Sequence, residues 1–183
     1  MKHWFKILCL LMIISTVCAC ASKPRQPTKW GPEKEAIKIQ IKADAELNWH
    51  GGSAHTLQLC VYQLKDLKVF EDLAGYEQGL RKLLRYRCEL FDPTVVKSES
   101  LFIDPGEYLS LTLDRFEDAQ YVAIAAGYEG FSTNRATRTI NIPVITEKTG
   151  FIKRKEIKKP GHLNAEIILG KEQILAFDEI KGK

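Results

Sequence analysis

Apolar and polar residues alternate along Ile37-Lys38-Ile39-Gln40-Ile41-Lys42-Ala43-Asp44-Ala45-Glu46-Leu47 and again along Leu57-Gln58-Leu59-Cys60-Val61-Tyr62-Gln63. Alternation of that length predicts strands with one buried and one wet face. The interruption between them, Asn48-Trp49-His50-Gly51-Gly52-Ser53-Ala54-His55, is longer than a two-residue hairpin turn. It carries an indole, two imidazoles and two glycines. A loop of that kind on a rigid sheet is where binding residues concentrate, and its glycines predict mobility.

From Asp66 the period changes. Tyr76, Leu80, Leu83, Leu84, Tyr86 and Leu90 recur at three- and four-residue spacing. They predict a helical insertion over about 66–91, broken near Gly75 and Gly79 and ended by Asp92-Pro93. Strand patterning then returns: Val95–Ile103, a tight turn at Asp104-Pro105-Gly106-Glu107, and Tyr108–Leu113 with Leu109, Leu111 and Leu113 on one face. Tyr121–Gly127 is apolar on both faces and therefore central. Arg138–Val144 places Ile140, Ile142 and Val144 inward, and Leu163–Leu169 and Ile174–Phe177 close the domain. Roughly seven or eight short strands predict an all-β, two-sheet sandwich with the helical insertion between strands 2 and 3. The basic stretch Phe151-Ile152-Lys153-Arg154-Lys155-Glu156-Ile157-Lys158-Lys159-Pro160 reads as a solvated loop; contact with anionic head groups or an acidic partner is the other reading.

The amino terminus changes the picture most. Lys2 and Lys6 precede an apolar run, Ile7–Val17, that is too short to span a bilayer well. This is a secretory signal peptide over residues 1–19. Val17-Cys18-Ala19-Cys20 resembles a bacterial lipobox, with Cys20 the lipidated thiol; ordinary cleavage after Ala19 and an uncleaved anchor are the alternatives. Acyl chains on Cys20 bring about 0.8 kcal/mol of membrane affinity per buried CH₂. Ala21, rather than Asp, after the cysteine favours the outer membrane. Residues 20–35, with Pro24, Pro27 and Pro32, read as a tether, and residues 36–183 as the domain. Loss of Lys2 and Lys6 takes the formal charge from +4 to +2, too weak a bias to argue for nucleic acid.

The candidate chemistry is sparse. Cys60 and Cys88 remain once Cys9, Cys18 and Cys20 are set aside; in an oxidising compartment they form a disulfide, or else stay as two buried thiols. His50, His55 and Cys60 match no tight zinc spacing, and neither a nucleophile elbow nor a phosphate loop occurs. The sequence thus predicts no enzyme, no metal and no cofactor beyond covalent lipid on Cys20. Trp49 is either a lid on the sandwich or an exposed anchor for a partner.

The lipobox Cys20, the loop opening at Asn48, Leu57-Gln58-Leu59-Cys60-Val61-Tyr62-Gln63-Leu64-Lys65-Asp66, the helical insertion and Leu101-Phe102-Ile103-Asp104-Pro105-Gly106-Glu107 occur in an order that resembles the outer-membrane lipoprotein of type VI secretion systems, the TssJ/SciN family. The resemblance implies a transthyretin-like β-sandwich, a structural role at the periplasmic face of the outer membrane, and binding to the periplasmic carboxy-terminal domain of the inner-membrane component TssM. It places that contact in the loop between the first two strands, here Asn48, Trp49, His50, Gly51, Gly52, Ser53, Ala54 and His55. The second functional reading is a periplasmic module that takes a small ligand or glycan near Trp49.

Overall fold

The computed structural model describes residues 29–130, 133–149 and 155–180. Residues 1–28, and with them Cys20, lie outside the described residues, as do 151–154 of the basic stretch.

Two four-stranded sheets pack face to face. The first has the order β10 (Ile174–Glu179), β9 (Leu163–Leu169), β1 (Glu33–Ala43), β4 (Tyr108–Arg115); the second has β3 (Val95–Ile103), β2 (Leu57–Leu64), β5 (Tyr121–Ala126), β6 (Thr137–Asn141). A separate hairpin joins β7 (Val144–Thr149) to β8 (Lys155–Pro160). β1 is central, antiparallel to β4 but parallel to β9, with Ile37, Ile39 and Ile41 opposite Leu163, Ala165 and Ile167. All six are buried or half-buried against the opposite sheet's Leu57, Leu59 and Val61, forming one core. The outward face of β1 carries Lys38, Gln40 and Lys42, so the alternation separates core from solvent as its period requires.

β2 is buried on both faces. Its second face, with Cys60 and Tyr62, lies beside Ala125 and Ala123 of β5. Those small side chains leave room for the insertion, α1 (Lys68–Ala74) and α2 (Glu77–Leu83), which buries Phe70, Leu73, Leu80 and Leu83. The Tyr62 hydroxyl donates to the Leu83 carbonyl, and the Tyr62 and Phe70 rings meet edge to face at 5.7 Å. Burial pushes the Tyr62 phenol's pKa far up. Cys60 is bonded to Cys88, with Cα atoms 5.5 Å apart across 28 residues. Closing a loop of that length in the unfolded chain is worth roughly 3–4 kcal/mol in the entropic account.

Several sequence expectations change. The alternation read to Leu47 ends as a strand at Ala43; Asp44 then accepts from the Glu46 amide at 2.8 Å in a side-chain turn, and the chain swings Leu47 into the core. The fold starts earlier than residue 36, because β1 begins at Glu33 and Trp30 packs against the core. The helical stripe stops at Leu83: residues 86–88 have φ of 45°, 58° and 68°, and this left-handed turn turns Tyr86 out to solvent. The strand read over Arg138–Val144 breaks at Ile142-Pro143, because proline has no amide to pair, and Val144 is 45% exposed rather than inward. Residues 155–160 of the supposed basic loop are strand β8.

Candidate functional site

Four connections meet at the end of the sandwich where β1 finishes. They are the β1–β2 loop, the β3–β4 turn, the segment after β5 and the β9–β10 turn. The Ala43 amide donates to the Glu107 carbonyl at 2.9 Å, and Asp44's to the Leu169 carbonyl at 2.8 Å. Thr56 Oγ1 donates to Asp104 Oδ1 at 2.6 Å. The candidate loop is built on this platform.

Asn48 is its hinge pin. It sits at φ 49°, a left-handed conformation that asparagine tolerates, and only 7% of it is exposed. Its amide Nδ2 donates to the Thr56 carbonyl at 3.3 Å while Oδ1 accepts from the Glu129 amide at 2.9 Å. One side chain therefore ties the loop's two stems to the segment after β5. The His55 amide closes the stem by donating to the Leu47 carbonyl at 3.0 Å.

Beyond the stem, His50 and Ser53 exchange two backbone hydrogen bonds at 3.1 Å around Gly51-Gly52. The glycines have φ of 58° and 87°, the pair of positive values that a tight two-residue hairpin demands. The His50 and His55 rings stack at 3.7 Å between centroids. His55 Nε2 lies 3.0 Å from Ser53 Oγ and 3.2 Å from the His50 carbonyl oxygen, where an N–H donates. The glycines thus fix a miniature hairpin instead of loosening the loop. The Gly-Gly pair is the sequence signal that could have found it.

Trp49 has one ring face covered. Its amide donates to the Lys171 carbonyl at 3.0 Å, and Lys171 Nζ lies 4.4 Å from the ring centroid while pairing with Glu46 at 3.1 Å. The indole is half-buried and Gly51, Gly52 and Ser53 are exposed. Lys171, Glu46 and Glu129 belong to this surface although nothing in their sequence neighbourhoods marks them. Tyr128, next to Glu129, is buried and its hydroxyl has no partner among the described residues.

The site holds two imidazoles, and among the described residues no group of three or more His, Cys, Asp or Glu side chains is placed to bind a metal. A groove of about 530 Å³ does exist, lined by Arg87, Glu89–Phe91 and Val95–Ser100 along the free edge of β3. No residue of the 48–55 loop lines it.

At the other end of β1 a buried arginine gathers the chain. Arg115, 4% exposed, donates to the Gly31 carbonyl at 3.2 Å, the Gly161 carbonyl at 2.9 Å and Glu33 Oε2 at 2.7 Å. His162 Nε2 lies 2.9 Å from Glu33 Oε1. The hydrogen bond with His162 is the main influence holding the Glu33 carboxyl below its ordinary range; burial opposes it, and the Arg115 guanidinium adds to the lowering. Eleven strand residues, Glu33–Ala43, separate this clamp from the loop platform, about 33 Å at strand rise.

A family model for type VI secretion lipoproteins (T6SS-SciN; VasD, EvfM, TssJ) matches residues 35–167. No curated protein sequence matches the chain significantly. Among solved structures, the type VI lipoprotein TssJ1 of Pseudomonas aeruginosa superposes with a TM-score of 0.57 at 17% identity, over 86% of this chain and 100% of that one. Serratia marcescens Lip, a membrane-bound component of the type VI secretion system, gives 0.55 at 18%, over 80% and 98%. A chain from the structure of the TssM carboxy-terminal domain from EAEC gives 0.56 at 14%, over 79% and 98%. At these identities the structural matches establish a shared sandwich fold.

Proposed function

Because the chain belongs to the type VI secretion lipoprotein family, TssJ/SciN, we propose that it is the outer-membrane-anchored lipoprotein of a type VI membrane complex, held by acyl chains on Cys20 and binding the periplasmic carboxy-terminal domain of a TssM-like protein through residues 48–55. The observation that carries this reading is the braced hairpin at the end of β1 far from the tether. A preformed loop loses little conformational freedom on binding, which favours affinity. It presents Trp49, half-buried with Lys171 over its ring, a residue type enriched at the energetic centres of interfaces. That a chain from the structure of the TssM carboxy-terminal domain from EAEC shares this fold is in keeping with a partner from the same secretion system. The 530 Å³ groove lies elsewhere, beside β3, so a small-ligand site at Trp49 draws no support from it.

The test is binding of the unlipidated domain to the partner's periplasmic domain. Trp49→Ala should weaken binding by about 2 kcal/mol, roughly thirtyfold in Kd, with the urea midpoint retained. Deleting Gly51–Ala54 should abolish it. An unchanged Kd in both folded variants would place the contact elsewhere. Independently, Cys20→Ser should release the protein from the membrane fraction.

A further inference from the structure

Among the described residues the β7–β8 hairpin joins neither four-stranded sheet, and its extensive contacts are between its own two arms. Two-stranded hairpins in water are marginally stable, and this one leaves Val144, Ile145 and Ile157 exposed at 45%, 42% and 42%. Its register puts Ile145, Glu147, Ile157 and Lys159 on one face. Its arms carry Lys148, Lys155, Lys158 and Lys159 against Glu147 and Glu156. Lys159 pairs with Glu147 at 2.5 Å and Lys148 with Glu156 at 3.8 Å, both exposed, so the arms keep a positive surplus. Each face thus carries exposed aliphatic side chains beside lysines, Ile145, Ile157 and Lys159 on one and Val144, Lys148 and Lys158 on the other, the chemistry of a segment lying at a charged lipid interface.

Position singles out the occupant. The Gly161 amide at the hairpin's root donates to the Pro143 carbonyl at 2.7 Å, and the Gly161 carbonyl accepts from Arg115. Arg115 also holds Gly31 and Glu33, where the tether joins the domain. The hairpin and the tether thus share one root. From Cys20 to Lys29 the chain reaches at most about 30 Å, which keeps that root near the bilayer. Glu33 faces the root and Glu147 and Glu156 face the arms, and each is already paired.

We propose that the arms of the β7–β8 hairpin, residues 144–149 and 155–160, form a second membrane contact that rests on a leaflet containing anionic phospholipid beside the acyl anchor. This rests on the reading of Cys20 as lipidated. It would restrict the swing of the domain and hold the 48–55 loop away from the membrane.

The test uses the full mature lipoprotein in vesicles of phosphatidylethanolamine mixed either with phosphatidylglycerol or with phosphatidylcholine, read by hydrogen exchange. Amides of both arms should exchange more slowly in the phosphatidylglycerol vesicles, with β1 and β9 unchanged. Lys148→Gln/Lys158→Gln/Lys159→Gln should remove that protection, each lysine near the surface contributing roughly fivefold in local affinity. Lys148 and Lys159 sit in exposed ion pairs, which contribute little to folding. Equal exchange in the two lipid mixtures would overturn the proposal. So would protection that appears only when the TssM-like periplasmic domain is added, since the hairpin's partner would then be a protein. The intact mass reports acylation directly, so a failed anchor is told apart from a failed hairpin contact.

Discussion

Replacing Arg115 by methionine would keep most of the buried volume but remove the donor to Gly31, Gly161 and Glu33 together. The Gly161 carbonyl is buried, and leaving it unpaired, together with losing an ion pair of which only the arginine is buried, costs about 2 kcal/mol. Urea denaturation should show that loss; a change under about 1 kcal/mol would mean that water replaces the guanidinium. The same cluster predicts a pH response. Glu33 binds its proton less readily folded than unfolded, so its contribution is complete above the ordinary glutamate value of 4.5 and is lost as pH falls from there through Glu33's own, lower value. Glu33→Gln should flatten that acid limb of the urea midpoint against pH. An identical limb in the variant would assign it to other carboxylates, Asp92 among them, whose carboxyl is held low by Thr94.

Among the elements, the insertion depends on one close approach. A Cβ on Gly79 would stand 2.1 Å from the Leu73 carbonyl oxygen, so α2 cannot sit beside α1 with any side chain there. Gly79→Ala should destabilise by about 3 kcal/mol and shift the urea midpoint with little change in slope; full stability would show that the helices separate freely. In the sequence, Gly79 looked like a helix breaker, because spacing along one helix says nothing of what crosses it. Strands with one core face were legible for the opposite reason: Ile37, Ile39 and Ile41 announce their burial by alternation. The β7–β8 hairpin has no core face, so its lysine-rich arm carried no such signal and read as a loop. The position of the 48–55 loop followed from the break after Leu47. Its rigidity did not, because Glu129 and Lys171, which brace it, arrive from connections far along the chain.

For the whole molecule, the separation of roles between the two ends follows from the topology. The tether clamp joins β1 to β4 and β9 at one end, and the loop platform joins the same three strands at the other. Core, insertion and disulfide lie between and make the two ends one body. The central strand is also the shortest covalent route from anchor to loop. If a partner pulls on residues 48–55 while lipid holds the amino terminus, the load runs lengthwise through β1. The covalent backbone of β1 then carries the force, while the ladders to β4 over Ile37–Lys42 and to β9 over Ile37–Ala43 hold the strand in place. Under the proposed function, traction would therefore fall along a strand that is already extended and braced on both sides.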